Sequence, residues 1–265
     1  MREEMAMMGL PRPGKVLIWV MGVLLAIWIF FAVGINWAGL TGGGFEFLAG
    51  NKDAILAGQV WRLVTAGLIH HPQSLNHILF ALLGLYFLGP TLESRWGGRR
   101  FLLFLIGSST MAYTLQFAAE TLLPASIADK LGQEYWFGSM GAVEAIAIAW
   151  AVSNRAQTVR LFFVLPITGT GLILFVIGIS ILAVITRAQT FEGLVTPFGG
   201  MLAGYLFGAD TPSPARRLFL RARYLWIARR AARYRRSSGP KLRVIEGGEG
   251  REARRKPPSD KRFLN

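Results

Sequence analysis

Apolar residues in this chain come in long unbroken blocks, without the short alternating or striped patterns that half-buried elements of a soluble core leave. A hydrocarbon core of roughly 30 Å needs about 20 apolar residues of helix, because only a helix or a closed barrel satisfies the backbone there. Six stretches approach that length, residues 16–38, 75–92, 101–119, 137–152, 161–186 and 195–207. The fourth and sixth are short and carry glycine, which predicts helices shielded by their neighbours at the centre of a bundle. The expected fold class is therefore all-α, a polytopic six-helix bundle with short central fourth and sixth helices.

The remaining pattern divides the chain. Residues 1–15 are expected to form a cytoplasmic N-terminus, 16–208 the membrane domain, 209–236 a basic juxtamembrane amphipathic segment and 237–265 a basic tail without fixed structure. The first apolar run exceeds the core of a signal peptide and has no small-residue cleavage site after it, so it is read as a span. The connection 39–74 is too long for a simple turn and mixes glycines with Phe45, Phe47, Leu56, Val60 and Trp61, which predicts a segment lying in the interface.

Composition agrees with a membrane solvent: 52% of residues are hydrophobic and 17% charged. The net charge of +14 belongs mainly to the C-terminal region, where 17 of the 29 Lys and Arg residues lie between Arg216 and Arg262. Basic residues flanking spans stay on the cytoplasmic side. Arg2, Arg12 and Lys15, then Arg95, Arg99 and Arg100, then Arg155 and Arg160, fall on the same side as the tail, so both termini are expected in the cytoplasm. A bacterial inner membrane is the expected location. The chain has no cysteine, which excludes disulfides, thiolate metal sites and a cysteine nucleophile. No metal or cofactor is expected.

Small residues recur every four positions at Gly200, Gly204 and Gly208 in the sixth stretch, and at Gly141, Ala145 and Ala149 in the fourth. Lipid gives no hydrophobic drive for helix association, so close approach through small residues is what gains van der Waals contact. These two helices are expected to pack on each other. Glu144 falls inside the fourth stretch, where an unpaired carboxylate is costly, and it should face the bundle with His77 or a wet cavity as its partner. A protonated glutamate making one interhelical hydrogen bond is the plainer reading. His70, His71 and Asn76 precede the second stretch, near the outer interface, where polar side chains cost little.

The segment QVWRLVTAGLIHHPQSLNHILFALLGLYFLGPTLESRWGGRRF at 59–101 resembles the rhomboid signature, and the likeness continues through GSMGAVEA at 138–145, LPI at 165–167 and PFGGMLAGYLFG at 197–208. The resemblance implies an intramembrane serine protease fold, with a serine on the fourth helix, a histidine on the sixth, and a histidine and an asparagine on the second. Here the family's Gly-x-Ser-Gly reads Gly138, Ser139, Met140, Gly141, which puts Met140 at the nucleophile position. The base position holds Pro197 and the asparagine position Ala81, while the second-helix histidine is kept as His77. All three histidines precede residue 78, so no register gives the sixth helix one. The resemblance thus implies a degenerate member in which protease activity is doubtful.

The expected function is binding of transmembrane client proteins within the bilayer, as the Derlins and inactive rhomboids do. Trp61, Arg62, His77 and Glu144 are the candidate client-binding residues. Gly141, Ala145, Gly200 and Gly204 are the candidate packing residues. The alternative is an active endopeptidase using Ser139 in an atypical site, with His71 or His77 as base. A transporter built around Glu144 ranks third, because the inverted repeats usual in transporters are absent from the sequence. The basic segment 214–236 is expected to lie on anionic lipid headgroups; its interleaved Tyr224, Trp226 and Tyr234 also suit nucleic acid, a reading the adjacent last span disfavours.

Overall fold

The computed structural model describes residues 12–161, 165–188, 191–208 and 213–237. The expectations for the first eleven residues and for the tail from residue 238 lie outside the described residues. The chain divides into two units, Met1–Leu220 and Arg221–Asn265.

Helix α1, Lys15–Asn36, buries Leu17, Leu24 and Phe31 at a spacing of seven residues and Gly34 one turn on. Val20, Met21 and Trp28 pack beside that seam, whereas Trp19 on the opposite side is 74% exposed, as suits a helix whose outer face meets lipid. No side chain of its own caps its start; the Glu93 carboxylate accepts the N–H groups of Val16 and Leu17 at 2.9 and 3.3 Å. A carboxylate there satisfies orphan donors and meets the positive end of the helix dipole.

The connection to the next span is folded. It carries the short helices α2 (Gly43–Leu48), α3 (Lys52–Leu56) and α4 (Arg62–Thr65), then a 3-10 turn at Ala66–Leu68. Asn51 caps α3 by accepting the Ala54 N–H at 2.8 Å. Arg62, which is buried, pins the segment by donating to the carbonyls of Glu46 and Ala49 and to the Gln59 side chain.

Helices α5 (Leu75–Trp96) and α6 (Gly98–Leu122) form a hairpin turned at Gly97, whose φ of +77° suits glycine. A short helix α7 (Ala125–Leu131) precedes α8 (Met140–Ser153), of which ten residues are buried. The fifth apolar stretch is helical only from Gly169. Strands β1 (Thr158–Leu161) and β2 (Leu165–Thr168) pair antiparallel ahead of α9, Gly169–Thr186. This corrects the expected helical start at residue 161: Pro166 removes a backbone donor and holds the residue before it extended. The Thr168 hydroxyl then caps α9 through the Gly171 N–H at 3.1 Å. Helix α10, Thr196–Gly208, completes the bundle.

Among the described residues four helices, α1, α5, α6 and α9, are long and apolar enough to cross a membrane. With 14 and 13 residues, α8 and α10 reach only about 20 Å. They are enclosed by the others and pack on each other through small residues. A Cβ at Gly200 would overlap the Gly141 carbonyl, one at Gly204 the Ala145 carbonyl, and one at Gly208 the Ala149 side chain.

Helix α11, Pro214–Ser237, carries the basic segment. At about 100° per residue, Leu218 and Leu225 fall on one side and Leu220 and Ile227 nearly opposite, with arginines between them all round. The amphipathic face expected for this segment is therefore not formed.

Candidate functional site

The polar groups of the bundle converge where the 3-10 turn, the start of α5, the residues before α8 and the residues before α10 meet. His77, in the first turn of α5, accepts the His71 N–H at Nδ1, 3.1 Å away, and so carries its proton on Nε2. Nε2 donates to Glu192 Oε1 at 2.7 Å. Both partners are buried. The Glu192 backbone carbonyl accepts the Thr196 hydroxyl at 2.6 Å, which ties the carboxylate to the start of α10.

Gly138 makes room for this pair. Its φ is +133°, and a Cβ there would collide with Glu192 Oε1 and His77 Nε2. The Gly138 N–H donates to the Ala66 carbonyl at 2.9 Å, and its carbonyl accepts the Tyr113 hydroxyl at 2.5 Å. The next residue, Ser139, stands at the N-cap of α8 but does not cap it. Its hydroxyl lies 3.0 Å from His70 Nε2, and its backbone N–H points to the same nitrogen at 3.4 Å. With Nε2 accepting, the His70 proton sits on Nδ1, which is buried without a partner. Burial, and secondarily the neighbouring His77, pushes the His70 imidazole down to about 3.

The structure brings His77, Met140 and Glu144 together around one cavity of about 410 Å³, walled by α5, α8 and α9 and reached also by Glu192. Phe80 and Ile179, both exposed apolar residues, lie on its rim. Glu144 Oε2 is buried in the wall with no hydrogen-bond partner among the described residues. His77, expected as the partner of Glu144, is engaged by Glu192 instead. Trp61 and Arg62 are not among the residues of this cavity: Trp61 lies tilted against Phe47 with ring centroids 5.2 Å apart, and Arg62 is committed to the carbonyls of its own loop.

Of the family positions, Ala81 is fully buried on α5, and Pro197 lies in the first turn of α10, where a missing N–H costs nothing. Pro197 offers no atom that accepts a proton. The imidazole beside Ser139 is that of His70, not the His71 or His77 considered from the sequence, and His70 is buried instead of lying in the interface. Among the described residues no three His, Asp or Glu side chains are grouped to hold a metal ion.

Glu192 is absent from the sequence expectations, and Gly138 enters them only as the first residue of the Gly-x-Ser-Gly match. The signal for Glu192 was present: it is the single charged residue between Arg187 and Asp210, just ahead of an apolar helix. Nothing local marks His70 over His71, since the choice between adjacent imidazoles is made by packing.

The order of spans, the folded connection after the first of them, the small-residue contact of α8 with α10, and the site at the start of α8 all lie in one continuous stretch of sequence. The rhomboid-domain family matches residues 57–211, more than half of the chain. No curated protein matches the sequence. The chain therefore belongs to the rhomboid family of integral membrane proteins.

Proposed function

We propose that this protein is a non-catalytic rhomboid-family member that holds transmembrane client proteins at the cavity between α5, α8 and α9. The observation that carries the first half is the state of Ser139 and His70. A serine nucleophile needs a base that becomes an imidazolium in the transition state, together with donors aimed at the developing oxyanion. His70 is held far below the range in which imidazole accepts a proton at neutral pH, and its Nδ1 meets no carboxylate or carbonyl that would stabilise the cation. The backbone N–H of Ser139 is itself turned toward His70. Met140 and Pro197 stand where the family's serine and histidine do.

The cavity supports the second half. It combines an apolar wall, an exposed apolar rim and a carboxyl without a partner, features that suit a helix entering from the bilayer. In this reading His77 and Glu144 contact the client, while Trp61 and Arg62 contribute by fixing the loop. Both termini lie in the cytoplasm, and the arginines of α11 attract anionic lipid headgroups by charge alone.

A second reading, an endopeptidase using Ser139, is favoured by the 3.0 Å contact with His70. One experiment separates the two. Purified protein is offered a fluorophosphonate probe and a generic single-span substrate, and a photo-crosslinker is placed at Phe80. Crosslinks to the single-span protein without hydrolysis or labelling are expected. Cleavage that disappears in Ser139→Ala would establish the endopeptidase.

A further inference from the structure

The cavity wall holds two carboxyl groups and one imidazole, and their pairing is uneven. Glu192 is satisfied by His77 at 2.7 Å, and the other nitrogen of His77 is occupied by the His71 N–H at 3.1 Å. Glu144 is the sole ionisable residue of α8, and its buried Oε2 has no partner. The wall around it is aliphatic and aromatic, with Val143, Ala147, Leu172 and Phe175 beside the flexible Met140. An apolar client helix would fill this space and leave Glu144 as it is. A client with an ammonium or guanidinium at the right depth would supply the missing counter-ion.

We infer that this cavity selects client helices bearing one basic side chain within the membrane, with Glu144 as the counter-ion. The inference rests on the client-binding reading above and adds the chemical class of the client. A lone lysine or arginine in a single span is costly in lipid, and a lone carboxyl in the cavity wall is costly too. Bringing them together relieves both at once, so the preference comes as much from the unfavourable free states as from the attraction. The order of preference follows: a basic residue over leucine, and a basic residue over glutamate, which brings no positive charge to Glu144. Arginine and lysine both qualify, since the wall provides one acidic group but no fixed geometry for a fork.

The test uses the full-length protein in phosphatidylcholine nanodiscs with a photo-crosslinker replacing Phe175. The probes are synthetic single-span Leu/Ala peptides of about 20 residues with Lys, Leu or Glu at the centre. Crosslinking of the Lys peptide should exceed that of the Leu peptide by about tenfold, a difference of 1.4 kcal/mol. The excess should vanish when the Lys is moved two turns along the peptide, and in Glu144→Gln, which keeps the shape of the side chain. Equal capture of the Lys and Leu peptides overturns the inference and leaves client binding standing. Capture of neither overturns both. Should Glu144→Gln fail to fold, the comparison of Lys, Leu and Glu peptides on the unaltered chain decides the matter.

Discussion

The hydroxyl and the backbone N–H of Ser139 both point at one atom, Nε2 of His70, from 3.0 and 3.4 Å. Two donors on one lone pair fix the tautomer, and Nδ1 on the far side of the ring lacks the partner that would stabilise the imidazolium a general base must become. The arrangement reads as a structural clasp that fastens the residues after the 3-10 turn to the start of α8. A clasp of this kind has a pH signature.

His70 is neutral in the folded chain until about pH 3, whereas in an unfolded chain it protonates near 6.5. The unfolded state therefore binds more protons between those values, and stability falls as pH falls through that window, by at most about 1.4 kcal/mol per unit. Above pH 6.5 this group contributes no pH dependence. Thermal unfolding in detergent from pH 8 to pH 4 should show a falling midpoint on the acid side, with a shallower fall in His70→Gln. Equal slopes in the two proteins would contradict the assignment.

Gly138→Ala should be severely destabilising, because a β-carbon at a φ of +133° is strained and meets Glu192 and His77 as well. Backbone strain alone costs about 1–3 kcal/mol. Gly107→Ala is the control: nothing lies within 4 Å of its Cβ direction, and the residue sits inside α6. A helix-interior alanine there should be neutral or stabilising by about 0.5–1 kcal/mol. Melting midpoints of the two variants in the same detergent check the contrast.

The contact of α8 with α10 predicts a similar asymmetry. In Gly204→Val the added carbons run into the Ala145 carbonyl, so the helices must part, at a cost of about 1–3 kcal/mol or more. Gly178→Val on α9 meets open space and should leave the midpoint nearly unchanged.

Arg62→Lys should loosen the connection 39–74 without touching the spans. A lysine ammonium cannot reach the Glu46 and Ala49 carbonyls and the Gln59 side chain in the geometry of the guanidinium. Limited proteolysis should cut first within this connection, at least several-fold faster than in the parent protein.

Much of the fold was legible in the sequence because length and hydropathy report directly on a bilayer. The long helices α1, α5 and α6 lie within a few residues of the apolar stretches 16–38, 75–92 and 101–119. The fifth stretch was read too long because hydropathy does not register a proline's effect on the backbone, and Pro166 turns its beginning into a hairpin. The basic segment forms a helix whose leucines and arginines share every side.

The site divides along the same line. From the sequence alone it follows that no histidine stands beyond residue 77, so no imidazole can be carried by the last helices whatever their packing. Which imidazole meets which partner was decided only by the tertiary structure. His70 finds Ser139 across 69 residues, and His77 finds Glu192 across 115. Periodicity and composition describe the environment of a residue along its own helix, whereas a hydrogen bond between two loops depends on how four separate segments are brought to one point. Glu144 was left without a partner by that same convergence, because the histidine available to it was drawn toward the carboxylate that precedes α10.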